Sequence, residues 1–97
     1  MKTLEEIKSL IKQNEESLRL QYGVKKIGIF GSFVRGAQKI GSDLDILIEF
    51  EKPVGFVKFM RLENKLSELA GVKVELVTKN ALKPHIGQHI LQEVIYV

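Results

Sequence analysis

The sequence predicts an α+β fold, a small β-sheet with helices packed on it in two layers. Three observations carry that expectation. Apolar residues at helical spacing alternate along the chain with short runs rich in β-branched residues, in the order helix, strand, helix, strand, helix, strand, helix. Gly23, Gly31 and Gly71 punctuate the changes of period. The 97 residues suffice for one core and a single domain over 1–97, with no repeat, low-complexity tract or linker to divide it.

Each element has its own signal. Thr3-Leu4-Glu5-Glu6 reads as a capping box, with Thr3 as N-cap and Glu6 at the third helical position. Leu4, Ile7, Ile11 and Leu18 follow at helical spacing, and Gly23 closes this first helix after Tyr22. Val24 to Phe30 is a strand ending at Gly31. Residues 32–37 form a short helix, and 37–42 a loop beside Gly36 and Gly41. Leu44 to Phe50 is the second strand, with Leu44, Ile46 and Ile48 on the face opposite Asp43 and Asp45. Glu51-Lys52-Pro53 ends that pattern. Phe56, Phe59, Leu62, Leu66 and Leu69 mark a long helix stopped by Gly71. Val72 to Val77 alternates as a third strand. Pro84 suits the first turn of a last helix that carries Ile86, Ile90 and Leu91 inward, before Val94–Val97.

Bulk properties exclude several classes. A content of 44% hydrophobic and 28% charged residues belongs to a soluble globular protein. With no cysteine there is neither a disulfide nor a thiolate metal site, and a reducing cytoplasm is the expected compartment. No apolar run reaches membrane-spanning length, so no membrane association is expected, and the acidic Met-Lys-Thr-Leu-Glu-Glu start is unlike a signal peptide. The net charge is +3. Setting three of the 12 acids aside for metal leaves 9 against 15 basic residues, a surface that suits an anionic ligand or acidic partner. It has no aromatic-rich basic groove, so nucleic acid is not expected as a direct ligand.

The chemistry concentrates between residues 31 and 45. Asp43 and Asp45 stand two apart at the start of a buried strand, which puts them on one face with Cα atoms roughly 6.5–7 Å apart. Two carboxylates so placed repel each other and resist desolvation unless a cation sits between them. Their hard oxygens suit Mg²⁺ or Mn²⁺, and two such ions about 3.5–4 Å apart would bind a triphosphate and activate a hydroxyl. Upstream, Gly31 lets the backbone approach a phosphate closely, and Ser32 offers a hydroxyl donor. Arg35 could reach phosphate oxygens or pair with a carboxylate. Ser42, where the loop closes onto Asp43, joins Gly31, Ser32 and Arg35 as a candidate nucleotide-binding position. Ser32 as an ordinary N-cap and Asp43 as an ordinary turn residue are the bland readings.

Glu75 is the candidate third acid. It lies mid-strand, on the face opposite Val74 and Leu76, in a strand expected beside the one bearing the aspartates. There it could hold a second ion and act as general base on an incoming hydroxyl. Taken alone it would be a solvent-facing glutamate paired with Lys73 or Lys25. His85 and His89 stand four apart on the last helix without an evident third ligand, and read as helix-surface residues. Val57 and Met60, like Leu10 and Leu20, form second apolar stripes, as core or as interface.

These residues resemble the nucleotidyltransferase superfamily of DNA polymerase β type. Its signature is an apolar strand with Gly-Ser, ten residues, Asp-x-Asp, and a third acid on a later strand. Here it reads Ile29-Phe30-Gly31-Ser32, Asp43-Leu44-Asp45-Ile46 and Val74-Glu75-Leu76. The wording Phe30-Gly31-Ser32-x-x-Arg35-Gly36 is similar to the minimal nucleotidyltransferases, the MNT domains of prokaryotes. The resemblance spans about residues 20–80 and implies a nucleotidyltransferase fold with a small mixed sheet. It implies Mg²⁺-dependent transfer of a nucleoside monophosphate from a triphosphate to a hydroxyl, with Asp43, Asp45 and Glu75 as metal-binding catalytic acids. It also implies ATP as substrate and a HEPN-domain ribonuclease toxin as partner, with AMP placed on a toxin tyrosine by the MNT antitoxin. Glu75 stands where the family more usually has Asp.

Two other functions stay open at this point: a binding module that neutralises its partner by contact, and a small-molecule or RNA-end nucleotidyltransferase served by a separate substrate-binding subunit. A chain of this length has no room for an acceptor-binding domain of its own, which favours a protein partner that completes the cleft. Base preference and any homo-oligomer are not encoded in a readable motif.

Overall fold

The capping box at the N-terminus forms in both directions. Thr3 Oγ1 accepts from the Glu6 amide at 3.1 Å, and Glu6 Oε1 accepts from the Thr3 amide at 3.1 Å. In the computed structural model, which describes residues 2–97, this box opens α1 (Leu4–Gln13). The expected single helix to Tyr22 is in fact two. It breaks at Asn14, and α2 (Glu15–Tyr22) follows. Asn14 Nδ2 donates to the Leu10 carbonyl at 2.8 Å, the local competition for backbone groups that makes Asn a poor helix-interior residue. Ile7 and Ile11 of α1 and Leu18 of α2 all reach one core across the break.

Four strands form a mixed sheet in the order β3-β2-β1-β4: β1 (Val24–Phe30), β2 (Leu44–Phe50), β3 (Val74–Thr78) and β4 (Ile95–Tyr96). β1 runs antiparallel to β2 and to β4, and β2 runs parallel to β3. Only a crossover can join parallel neighbours, and α4 (Phe56–Ala70) supplies it. The register of β1 shifts between Val24 and Lys26, a bulge that puts Val24 in phase with Ile27 and Ile29 in the core. On β2, Leu44, Ile46 and Ile48 are fully buried beneath Leu62, Leu66 and Ala70 of α4, as their alternation predicts.

β3 starts two residues later than the Val72 expected from sequence. Gly71 ends α4 in the left-handed region at φ 71°, and the Lys73 carbonyl already accepts from the Leu44 amide at 2.8 Å as the chain turns. As an edge strand β3 presents unpaired amides, and α4 satisfies two of them. Ser67 Oγ accepts from Val74 N–H and Glu63 Oε2 from Leu76 N–H, each at 3.0 Å.

Three apolar residues that mark the helices face outward. Phe56 is 76% exposed, because six residues before Leu62 it lies about 120° round the helix from it. On the last helix, α5 (Pro84–Glu93), Ile86 and Leu91 face outward and Ile90 is half-buried. The buried residue there is Gly87, against which Leu82 packs closely, so the helix rests on its smallest side chain. Val57, Met60 and Leu20 are exposed as well. Among the described residues no helix is long and apolar enough to cross a membrane.

The C-terminal strand β4 lies on β1 where Gly28 faces Tyr96, and the Val97 amide donates to the Ile27 carbonyl at 2.9 Å. A Cβ on Gly28 would overlap Val94 Cγ2 and press the Tyr96 ring. Gly28→Val should therefore force β4 off β1 and cost about 1–3 kcal/mol, the range for overpacking. Urea unfolding of the two proteins measures it, and equal stability would show that β4 docks loosely.

Candidate active site

The parallel register of β2 and β3 makes Asp45 and Glu75 direct Cα partners. On the other flank the antiparallel register sets Asp45 opposite Phe30, the residue before Gly31. The Gly-Ser turn, the aspartate strand and the third acid are thus brought side by side. Core packing enforces this arrangement: Leu44, Ile46, Val74 and Leu76 point to the helical layer, which leaves Asp45 and Glu75 to the opposite face.

Gly31 meets two demands that only glycine satisfies. Its backbone has φ 81° and ψ −153°, and a Cβ there would overlap Asp45 Oδ2. Ser32 then opens α3 (Ser32–Arg35), a single turn pinned to the core by the buried Phe33. The Val34 and Arg35 amides donate back to the Gly31 carbonyl at 3.0 and 3.2 Å.

Electrostatics single out Asp45. Burial, the neighbouring Glu75 with which it shares a hydrogen bond, and the charge of Asp43 push its carboxyl up to about 6, against a weaker pull from Arg35. Asp43 lies just before β2 and is half-buried, while Glu75 is exposed on the edge strand. Among the described residues no three acids or histidines stand close enough together to form a ready-made metal cluster. The donor set nevertheless fits a hard divalent cation. Asp45 and Glu75 are hard oxygen donors side by side in register, and the raised Asp45 carboxyl shows that its charge lacks full compensation, which a cation can supply.

Two other expected positions are occupied by the protein itself. Arg35 takes the carboxylate option: its Nη1 donates to Glu93 Oε1 at 2.7 Å. Ser42 Oγ accepts from the Lys39 amide at 2.8 Å, so it closes the loop. Glu93, at the end of α5, escapes the sequence reading altogether. Its Oε2 accepts from the Gly31 amide at 3.0 Å. A lone glutamate 62 residues from its partner carries no local signal. His85 and His89 stack edge to face at 5.8 Å on the exposed surface of α5.

The sequence matches the nucleotidyltransferase domain family over residues 5–97. The chain belongs to that family. Protein adenylyltransferase MntA of Thermococcus cleftensis is 47% identical over 97 residues, covering 100% of this chain and 98% of that protein. A Methanocaldococcus jannaschii protein, provisionally named a protein adenylyltransferase, is 45% identical and matches over 100% of both chains. A solved structure provisionally described as a minimal nucleotidyltransferase superposes with a TM-score of 0.74 at 33% identity, covering 93% of this chain and 94% of that one. The fold also recurs, with a TM-score of 0.66 at 18% identity over 93% of this chain and 70% of the other, in a tri-AMPylated Shewanella oneidensis HEPN toxin in complex with MNT antitoxin. The α+β class and the minimal nucleotidyltransferase resemblance are both borne out.

In this nucleotidyltransferase the acid pair has a cost that pH reveals. The ordinary Asp45 value is 3.8 and the folded value about 6, so the folded state holds the extra proton between them. Its stabilising contribution is complete below about pH 4 and is lost as pH rises through about 6. Metal-free Asp45→Asn should consequently melt higher than wild type at pH 7.5 and equally near pH 4. A variant melting lower at pH 7.5 would contradict the repulsion between Asp45 and Glu75.

Proposed function

We propose that the protein is a Mg²⁺-dependent adenylyltransferase that moves AMP from ATP to a hydroxyl of a protein partner. The acceptor is a tyrosine of a HEPN-domain toxin, which the transfer silences. The single observation that carries this reading is the Asp45–Glu75 register beside the Gly31–Ser32 turn. Full-length identity of 47% to a named protein adenylyltransferase supports the reaction, and the HEPN toxin complex of a shared fold supports the partner.

Asp43, Asp45 and Glu75 would hold the metal. Bound there, Mg²⁺ would offset triphosphate charge and make the incoming hydroxyl more acidic. Gly31 keeps the turn free of a Cβ, and the Ser32 hydroxyl donates to a phosphate oxygen. Glu75 takes the proton from the acceptor hydroxyl, whose oxygen then bonds to the α-phosphorus. The bond from that phosphorus to the bridging oxygen breaks, and pyrophosphate leaves with the electron pair. Glu75 is one methylene longer than aspartate and starts from the exposed edge strand, so it can reach over Asp45 from the β3 side.

Neutralisation by contact alone is the second reading. It is favoured by the lack, among the described residues, of three acids already gathered around one point. Incubation with [α-³²P]ATP, Mg²⁺ and a HEPN-domain partner separates the two. Label should appear on the partner and fall at least about 100-fold in Asp43→Asn, since even outer-shell changes at metal sites cost 10–100-fold. An inert wild type that still blocks the partner would sink the catalytic reading, and better transfer from GTP or CTP would overturn ATP.

A further inference from the structure

Glu93 uses both carboxylate oxygens on one short turn. Oε2 accepts from Gly31 N–H at 3.0 Å and Oε1 from Arg35 Nη1 at 2.7 Å. Those donors are the residue that precedes α3 and the residue that ends it, so one carboxylate spans the helix and fixes both ends. The Glu93 side chain is 22% exposed, against 59% for Arg35. The bond to the Gly31 amide is part-buried while the ion pair to Arg35 lies at the surface, so the amide bond is the firmer end of the clamp. Although burial pushes the Glu93 carboxyl up, the Gly31 amide and Arg35 outweigh it and hold the group below the ordinary carboxylate range. The clamp is therefore charged and closed at neutral pH.

Placement gives the clamp its consequence. Gly31 is gripped by Glu93 through its amide while its Cα lies against the Asp45 carboxylate. The distance from Ser32 to the acid pair thus depends on two contacts, one to β2 and one to Glu93. Glu93 is itself fixed, because the chain leaves α5 directly into β4, which pairs with Gly28 and Ile29 of β1. Lys26 Nζ over the Tyr96 ring, 5.2 Å from its centre, adds a further hold. Through Nη1, Arg35 belongs to this clamp.

We propose that Glu93 is a positioning residue for nucleotide binding, holding Gly31 and Arg35 so that Ser32 faces the phosphates at the correct distance from Asp45. This rests on the reading that the Gly31–Ser32 turn receives the nucleotide. The opposite role, a carboxylate that plugs a phosphate position and restrains the enzyme, predicts the reverse kinetics and so is decided by the same measurement.

The test is transfer kinetics with MgATP for wild type, Glu93→Ala, Glu93→Gln and Arg35→Ala, with amide exchange of Gly31 measured without nucleotide. Glu93→Ala should raise KM for ATP about tenfold, as loss of an outer-shell contact does, and leave kcat within about twofold. Its Gly31 amide should exchange faster. Glu93→Gln, which keeps an acceptor for Gly31 N–H, should recover most of the KM, and Arg35→Ala combined with Glu93→Ala should be no worse than Glu93→Ala alone. An unchanged KM would overturn the proposal, and a lowered KM would replace it with the plug. If Glu93→Ala does not fold, Arg35→Ala decides, since it removes one end of the clamp: a raised KM is expected, and a wild-type KM overturns the proposal. Failure of the functional reading looks different, since wild type then shows no ATP-dependent transfer while Gly31 still exchanges faster in Glu93→Ala; that result overturns the nucleotide role as well.

Discussion

Asp45 is held half-buried beside Glu75, and the pull of Arg35 offsets neither that burial nor the neighbouring charge. Asp45 and Glu75 are register partners on parallel strands, and the hydrophobic alternation of those strands leaves them no other face to occupy. Slipping β3 by one residue would separate the acids but would also expose Val74 and Leu76, which the core does not allow. Repulsion is thus stored by packing. The Asp45 carboxyl is raised to about 6, first by burial and then by the charge of Glu75. A divalent cation would relieve that repulsion, which is the role proposed for this pair.

The neighbouring features follow from that pair. Gly31 has no Cβ because Asp45 already fills the space. Phe33 anchors α3 in the core so that the following turn cannot drift from the acids. The helical layer of α1, α2 and α4 covers one face of the sheet and leaves the acid face to the site. Glu93 braces the turn from the C-terminal side, which ties α5 and β4 to the candidate site.

Local placement was legible in the sequence and long-range placement was not. Asp43, Asp45, Gly31 and Ser32 announce themselves through spacing within one strand-turn-strand unit. Glu75 was legible because a mid-strand acid opposite Val74 and Leu76 has only one face available. Glu93 lacked any such constraint, since its partners lie 58 and 62 residues away and nothing in its own helix demands an acid. The break at Asn14 was hidden because Ile11 and Leu18 keep helical phase across it. Phe56, Ile86 and Leu91 show the opposite error: apolar periodicity identifies a helix correctly but does not say which of its apolar residues overhang the sheet. Gly87, the residue that rests against Leu82, has no hydrophobicity to be read at all.

We propose that the Asp45–Glu75 pair is a cation site, kept open by the burial of Asp45 and by repulsion. Carbon-detected NMR titration of the side-chain carboxyls measures this directly, with and without Mg²⁺ and a non-hydrolysable ATP analogue. Without metal, Asp45 should titrate near 6, and its titration should fall below the ordinary aspartate value of 3.8 once metal and nucleotide are bound. An Asp45 that titrates normally in the free protein, or one that does not respond to metal and nucleotide, would contradict the account.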